Sequence, residues 1–229
     1  MSAEAPLLLA LHSSSETLAV GVQALPWGEH PAGKPRLASF SLGRRLSNAL
    51  LPCVEELLPA EQWPRLARLV VATGPGGFTG TRLTVVLART LAQQLAIPLH
   101  GFSSFLLIAR RLAAPNGLLG SDAEATEFWL HQELPRRGTV AGSYGCDLQA
   151  FGGMAERQVP RLFRPQEPLP WQTGGGETAT TPLGFPALVE PEADAAELLE
   201  LGQLAHAAAL SGPWGPVLPL YPTSPVEGL

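Results

Sequence analysis

Cysteine, lysine and aspartate are scarce in this chain of 229 residues, and the scarcity excludes several classes of protein. The two cysteines, Cys53 and Cys146, have neither a CxxC pair nor a suitably spaced histidine, which argues against a disulfide framework and a zinc site. Lys34 is the single lysine, and a net charge of −5 argues against a protein whose main task is binding polyphosphate. The apolar run at residues 7–11 is too short for a signal sequence or a membrane span, so we expect a cytoplasmic protein without a membrane partner.

What the chain has instead is apolar content and an uneven distribution of charge. Hydrophobic residues make up 45% of it, which is enough for one compact domain or two small ones. Residues 1–112 carry 10 basic and 6 acidic side chains, a net charge of +4, whereas residues 113–229 carry 5 and 14, a net charge of −9. This asymmetry indicates two lobes or a face suited to an anionic partner, although an ordinary solvated surface is the simpler explanation.

The first half of the chain predicts a mixed α/β lobe. Apolar runs and period-two alternation predict strands at residues 7–11, 17–25, 37–42, 69–73 and 98–102. Helical spacing of apolar residues predicts helices at residues 44–58, 79–96 and 104–112. The resulting order, β-β-β-α-β-α-β-α, is that of the ribonuclease-H-like fold, which is also the repeated half of the actin-like ATPases.

The second half is predicted to be a reduced C-terminal lobe. Strands are predicted at residues 128–134 and 139–148, and a stretch rich in proline and glycine follows at residues 151–191. An acidic amphipathic helix is predicted at about residues 192–210, with a proline-rich tail after it. We therefore expect two domains, residues 1–112 and residues 113–229.

A glycine-rich loop between a buried strand and a helix is the strongest local signal. Its glycines permit close approach of the backbone, and the helix start could hold an anion. A tight turn without a ligand is an equally good explanation, because no Gly-Lys-Ser/Thr follows as in a P-loop. The arginine in the first helical turn opposes the helix dipole, so a carboxylate, a partner or a phosphate should offset it. The candidate residues are Gly74, Pro75, Gly76, Gly77, Phe78, Thr79, Gly80 and Arg82.

The helix predicted at residues 79–96 carries two parallel rows of residues spaced by four. The leucine row can bury against a sheet, while the row Thr84, Ala88, Ala92 and Ala96 is small enough to let another helix approach closely. A helix enclosed within its own domain would show the same two rows. The sequence therefore leaves open whether the small row meets a partner.

Carboxylates are missing where a metal-dependent enzyme of this fold needs them. The first aspartate is Asp122, and the first strand ends at His12 instead. This excludes two-metal cleavage of phosphodiesters and weakens an ATPase interpretation, because no aspartate follows the first strand to hold hydrated magnesium. The five histidines show no HExxH or other close pairing, so no metal site is predicted.

Several segments resemble one known family. Residues 74–82, Gly-Pro-Gly-Gly-Phe-Thr-Gly-Thr-Arg, resemble the GPGSFTGxR signature of the TsaB (YeaZ-type) family. Residues 9–15 resemble its opening L-A-I-D-T-A/S-T, residues 50–52 match its segment H-S-x-x-L-L-P, and residues 219–221 resemble its C-terminal P-x-Y-L-R. The chain departs from the family by His12 for Asp, Leu46 for His, Gly77 for Ser and Thr84 for Gly.

The resemblance implies a non-catalytic subunit of the machinery that installs threonylcarbamoyladenosine next to the tRNA anticodon, without a metal or cofactor of its own. It implies that the protein binds and stabilises a TsaD-type catalytic subunit, associates with a TsaE-type ATPase, meets tRNA indirectly and forms a homodimer when alone. The family helices that make these contacts correspond to residues 44–58 and 79–96. The candidate interface residues on them are Leu46, Leu50, Val54, Thr84, Ala88 and Ala92.

Two alternatives belong to other functional classes. One is a small phosphotransferase or peptidase-like enzyme of the actin-like superfamily that uses the loop at residues 74–80. The other is a free-standing homodimeric scaffold outside tRNA modification.

Overall fold

The computed structural model describes residues 4–120, 127–172 and 182–222, which form two compact units. The first unit combines Met1–Ser104 with Val189–Leu220, and the second combines Phe105–Leu188 with Tyr221–Leu229. The predicted division at residue 112 differs from this one, because the acidic helix returns to the first unit. Three parts of the predicted C-terminal lobe, residues 121–126, residues 173–181 and the tail from residue 223, lie outside the described residues.

The first unit is built on a five-stranded mixed sheet with the order β3-β2-β1-β4-β5. Its antiparallel part, β3-β2-β1, meets its parallel part, β1-β4-β5, at the central strand. The strands are β1 (Leu7–His12), β2 (Thr17–Ala24), β3 (Arg36–Ser41), β4 (Leu66–Ala72) and β5 (Leu99–Phe102). With the helices that follow, these strands confirm the predicted ribonuclease-H-like lobe.

Helices cover both faces of this sheet, which explains why β1 and β4 are almost continuously apolar. The helices of the first unit are α1 (Leu46–Leu57), α2 (Phe78–Leu95) and α4 (Pro191–Ala207), and short 3-10 turns lie at Gly43–Arg45 and Ala60–Arg65. Leu9 and Leu11 pack in one core with residues of α1 and α2. Leu8 points the other way, toward Gly202 of α4. Pro52 lies inside α1.

The second unit contains a four-stranded sheet with the order β8-β7-β6-β9. Its elements are α3 (Ser104–Ala113), β6 (Phe128–Leu134), β7 (Gly138–Cys146), β8 (Met154–Phe163) and β9 (Leu183–Pro186), with a 3-10 turn at Phe151–Gly153. Trp129 and Phe163 pack edge to face beside Trp171 and form its aromatic core. The predicted strands at 128–134 and 139–148 match β6 and β7, whereas β8 and β9 lie in the stretch rich in proline and glycine, for which no element was predicted.

The acidic helix predicted at about 192–210 is α4, which starts at Pro191 and ends at Ala207. No helix within the described ranges is long and apolar enough to cross a membrane.

Candidate functional site

The glycine-rich loop joins the end of β4 at Ala72 to the start of α2 at Phe78. Gly74 has a φ of +93°, and the Gly74–Pro75 peptide bond is cis. A Cβ on Gly76 would lie 2.2 Å from the Ser14 carbonyl oxygen, and one on Gly80 would lie 2.8 Å from the Ser13 carbonyl oxygen. Glycine is therefore required here because the turn after β1 packs directly against the loop.

Backbone hydrogen bonds hold this loop in place. The Gly77 N–H donates to the Ser14 carbonyl at 2.8 Å, and the Ser104 N–H donates to the Gly74 carbonyl at 2.7 Å. The Thr81 N–H donates to the Gly77 carbonyl at 3.0 Å and begins the helical ladder of α2. The loop is thus fixed by the turn after β1 and by Ser104, the first residue of α3, both within the first unit.

Buried hydroxyl groups link the same elements. The Ser13 and Thr84 hydroxyl oxygens lie 2.8 Å apart, and the Ser14 and Ser104 hydroxyls are hydrogen-bonded to each other. The Thr84 hydroxyl also lies 3.1 Å from the Thr81 carbonyl oxygen, to which it can donate. Thr84, which stands where the resembled family has glycine, is therefore used to join α2 to the turn after β1.

His12 is the last residue of β1. It is fully buried, and its Nε2 lies 3.9 Å from the Asp194 carboxylate of α4. Burial lowers the pKa of His12 to about 4, so its imidazole is neutral near pH 7. The Asp194 carboxylate accepts a hydrogen bond from the Glu190 N–H at 2.9 Å, at the start of α4.

Metal ligands are not gathered at this position. In the part of the chain that the structure describes, no three histidine, cysteine, aspartate or glutamate side chains form a group that could hold an ion. The chemistry available at the end of β1 is that of a buried neutral imidazole beside one carboxylate.

The six predicted interface residues all lie in the core of the first unit. Leu46, Leu50 and Val54 of α1 and Thr84, Ala88 and Ala92 of α2 are all buried. The apolar residues among them pack against the sheet, and Ala88 and Ala92 belong to the same hydrophobic cluster as Leu50 and Val54. This corrects the assignment of these residues to a surface: the small-residue row lets α2 approach its own neighbours closely.

A different set of residues forms the solvent-facing sides of the two helices. Leu51 on α1 is 46% exposed, and Phe78 and Val86 on α2 are 47% and 54% exposed. Arg82 is also exposed and forms no ion pair with any described residue. Phe78 was among the candidate residues of the loop, but Leu51 and Val86 were missed because periodicity separates two faces of a helix without identifying the one that meets solvent.

Comparisons with known proteins agree with this fold and loop. Residues 35–136 match the family described as TsaD, tRNA N6-adenosine threonylcarbamoyltransferase. The tRNA threonylcarbamoyladenosine biosynthesis protein TsaB of Bacillus subtilis (strain 168) is 36% identical over 112 residues, which span 48% of this chain and 43% of that protein. The match thus spans less than half the length of that relative.

Two solved structures share the whole fold. An uncharacterized protein with similarity to peptidase YEAZ from Pseudomonas aeruginosa superposes with a TM-score of 0.68 at 22% identity, over 95% of this chain and 100% of the other. YeaZ from Pseudomonas aeruginosa gives a TM-score of 0.66 at 21% identity, over 94% and 100%. At these identities the structures establish the fold, and the sequence matches add the family resemblance. Together with the loop at residues 74–82, these findings make the chain similar to proteins of the TsaB/YeaZ type in fold and in part of its sequence.

Proposed function

We propose that this protein is a non-catalytic subunit in tRNA threonylcarbamoyladenosine biosynthesis, which binds and stabilises a TsaD-type catalytic subunit. The names of the B. subtilis relative and of the matched family support the pathway. The observation that carries the proposal is the exposure of apolar side chains on two helices: Leu51 on α1, and Phe78 and Val86 on either side of Arg82 along one face of α2. In this proposal tRNA is reached through the partner, a TsaE-type ATPase joins the assembly, and the isolated chain pairs with itself through the same helices.

This exposed side has the composition of a protein interface. Phenylalanine and arginine, here Phe78 and Arg82, are enriched in protein interfaces relative to the rest of the surface. Full burial of an exposed apolar side chain contributes about 1.5–3 kcal/mol, and because these side chains are already half-buried each would add roughly half of that. Arg82 sits in the first turn of α2, where a cation opposes the helix dipole, and an acidic group on the partner would offset that cost.

The environment of the loop supports a non-catalytic role. The loop glycines make their closest contacts with the backbone of Ser13 and Ser14. The space beside these glycines, where a phosphate would bind, is therefore occupied by the chain itself. The buried neutral His12 stands where the resembled family has an aspartate, which lowers the expectation of nucleotide hydrolysis.

The partner-subunit proposal is tested by binding, with a matched pair of variants. Val86→Arg places a charge on the exposed side of α2, and Val159→Arg places the same charge on β8 at nearly equal exposure, 54% against 57%. Light scattering after size-exclusion chromatography with the TsaD-type subunit should show a complex for the wild type and for Val159→Arg. For Val86→Arg we expect at least about tenfold weaker binding, a cost of about 1.4 kcal/mol.

Equal binding by both variants would contradict the proposed interface, and no complex with the wild type would contradict the partner-subunit role. Thermal melting with ATP then examines the enzyme alternative. A ligand at a hundred times its Kd stabilises the folded state by about 2.7 kcal/mol, and we expect no such gain here.

A further inference from the structure

A segment after α4, residues 210–220, runs along the free edge of the first sheet, and we call it the strap. It begins where the Arg68 guanidinium of β4 donates to the Leu210 carbonyl at 3.1 Å. The Leu99 N–H of the edge strand β5 then donates to the Gly212 carbonyl at 2.8 Å. A Cβ on Gly212 would lie 2.5 Å from the His100 Nε2, so only glycine fits where the strap crosses β5.

One buried side chain and one stacked ring hold the middle of the strap. Val217 is inserted into the main hydrophobic core, and its side chain lies 2.8 Å from the position of a Cβ on Gly101. The ring of Trp214 lies under the Arg89 guanidinium of α2, 5.5 Å from its carbon to the ring centre. The strap therefore contacts β5 and α2 at once.

The strap ends on the glycine-rich loop. The Leu220 N–H donates to the Thr73 carbonyl at 2.7 Å, and the Leu220 carbonyl oxygen lies 3.3 Å from the position of a Cβ on Gly74. These contacts lie next to the Gly74 carbonyl that accepts from the Ser104 N–H. A segment more than a hundred residues away along the sequence thus supports the loop that starts α2.

We propose that the strap is a detachable clamp that sets the conformation of the loop at residues 73–80 and of the first turn of α2. Among the described residues, two backbone hydrogen bonds attach the strap: the one at Gly212 joins it to β5, and the one at Leu220 joins it to the loop. Pro213, Pro216 and Pro219 have no N–H to donate, so the strap cannot form a continuous ladder with β5. Segments held by few hydrogen bonds and one apolar anchor open locally without global unfolding.

Release of the strap removes the support of Thr73 and Gly74 and frees Trp214 from Arg89. Both changes act on α2, which carries Phe78 and Arg82 on its exposed side. On the basis of the proposed function, strap release would lower affinity for the partner subunit. The coupling between strap and loop does not depend on that function and is measured without a partner.

Hydrogen exchange on the full chain tests the coupling with two pairs of variants. Val217→Asp removes the anchor, whereas Leu218→Asp places the same charge on a neighbouring side chain that is 58% exposed. Leu220→Pro removes the N–H that bonds to Thr73, whereas Leu218→Pro removes an N–H for which the described residues show no acceptor. We expect at least about tenfold faster exchange in residues 210–220 and in residues 73–82 for Val217→Asp and Leu220→Pro, with wild-type rates in both controls.

Fast exchange in the strap with wild-type exchange in residues 73–82 would overturn the proposal. If Val217→Asp unfolds the first unit, the Leu220→Pro pair decides, because it leaves the core anchor in place. Affinity for the TsaD-type subunit is measured on the same variants. Loss of wild-type binding would contradict the proposed function, while the exchange result still reports on the clamp.

Discussion

Two neighbouring glycines of the loop differ in whether the packing around them requires glycine. Gly76 and Gly77 are adjacent, yet only the first touches its surroundings closely. A Cβ on Gly76 would overlap the Ser14 carbonyl, whereas one on Gly77 would find its nearest atom at 3.6 Å. Gly77 also has a φ of −58°, which any residue adopts without strain.

We therefore expect Gly76→Ala to be destabilising and Gly77→Ala to be tolerated. Forcing an extra carbon into a packed site costs about 1–3 kcal/mol, and the Gly77 variant should stay within about 0.5 kcal/mol of the wild type. Chemical denaturation of both variants measures the difference. Equal stabilities would show that the loop can move away from Ser14.

His12 makes the stability of the first unit depend on acid. Its pKa is lowered by burial from 6.5 to about 4 in the folded chain, so the unfolded chain takes up this proton first as the pH falls. Stability is therefore fully present above pH 6.5 and declines toward pH 4. The loss attributable to His12 is about 3 kcal/mol, at 1.36 kcal/mol for each unit of pKa.

His12→Gln should flatten the decline in the free energy of unfolding between pH 6.5 and pH 4. Denaturation of the wild type and the variant across this range measures the two slopes. His30→Gln is the control, because His30 is an exposed histidine in a turn. Parallel curves for the wild type and His12→Gln would mean that the buried imidazole takes up its proton at an ordinary pH.

At the scale of elements, α4 lies in a different unit from the lobe in which the sequence placed it. The helix itself was predicted from its acidic amphipathic pattern, but it was placed in the C-terminal lobe. In the structure it covers the face of the first sheet opposite α1 and α2, where Leu199 packs beside Gly21 and Gly202 beside Leu8. The local pattern of α4 shows that the helix has an apolar face, but it does not show which surface that face packs against. Here the surface is a sheet face formed by residues about 180 positions earlier in the sequence.

The fragment 1–112 should therefore fail to fold, although it contains the predicted N-terminal lobe. Without α4 one face of the sheet, including Leu8 and Val70, is left exposed to water. Proton NMR of the fragment should show no chemical-shift dispersion, and circular dichroism should show no cooperative unfolding transition.

A chimera that restores α4 tests whether the loss of this helix is what prevents folding. The Arg111 guanidinium donates to the Leu188 carbonyl at 2.6 Å, so a short glycine-serine linker can join residue 112 to residue 189. The chimera, which restores α4 and the strap, should fold cooperatively. Independent folding of fragment 1–112 would contradict this dependence on α4.

At the scale of the whole molecule, the sequence predicted local features well and long-range ones poorly. Continuous apolar runs identified β1 and β4, and helical spacing identified α1 and α2. β9 was missed because two of its four residues are a glycine and a proline, which are typical of turns, and β8 because it contains Pro160 and alternates only weakly. The position of the loop was predicted from its glycines, but its contacts with Ser14 and Leu220 join residues about 60 and 150 positions apart and leave no local signal.

The strap has a consequence for the behaviour of the protein in solution. β5 ends the sheet, and an uncovered edge strand offers unpaired backbone groups to strands of other molecules. The strap occupies that edge with a proline-rich segment, and its own outer side lacks the regular N–H groups that a further strand would need. The same residues that clamp the loop therefore keep the β5 edge from pairing with strands of other molecules.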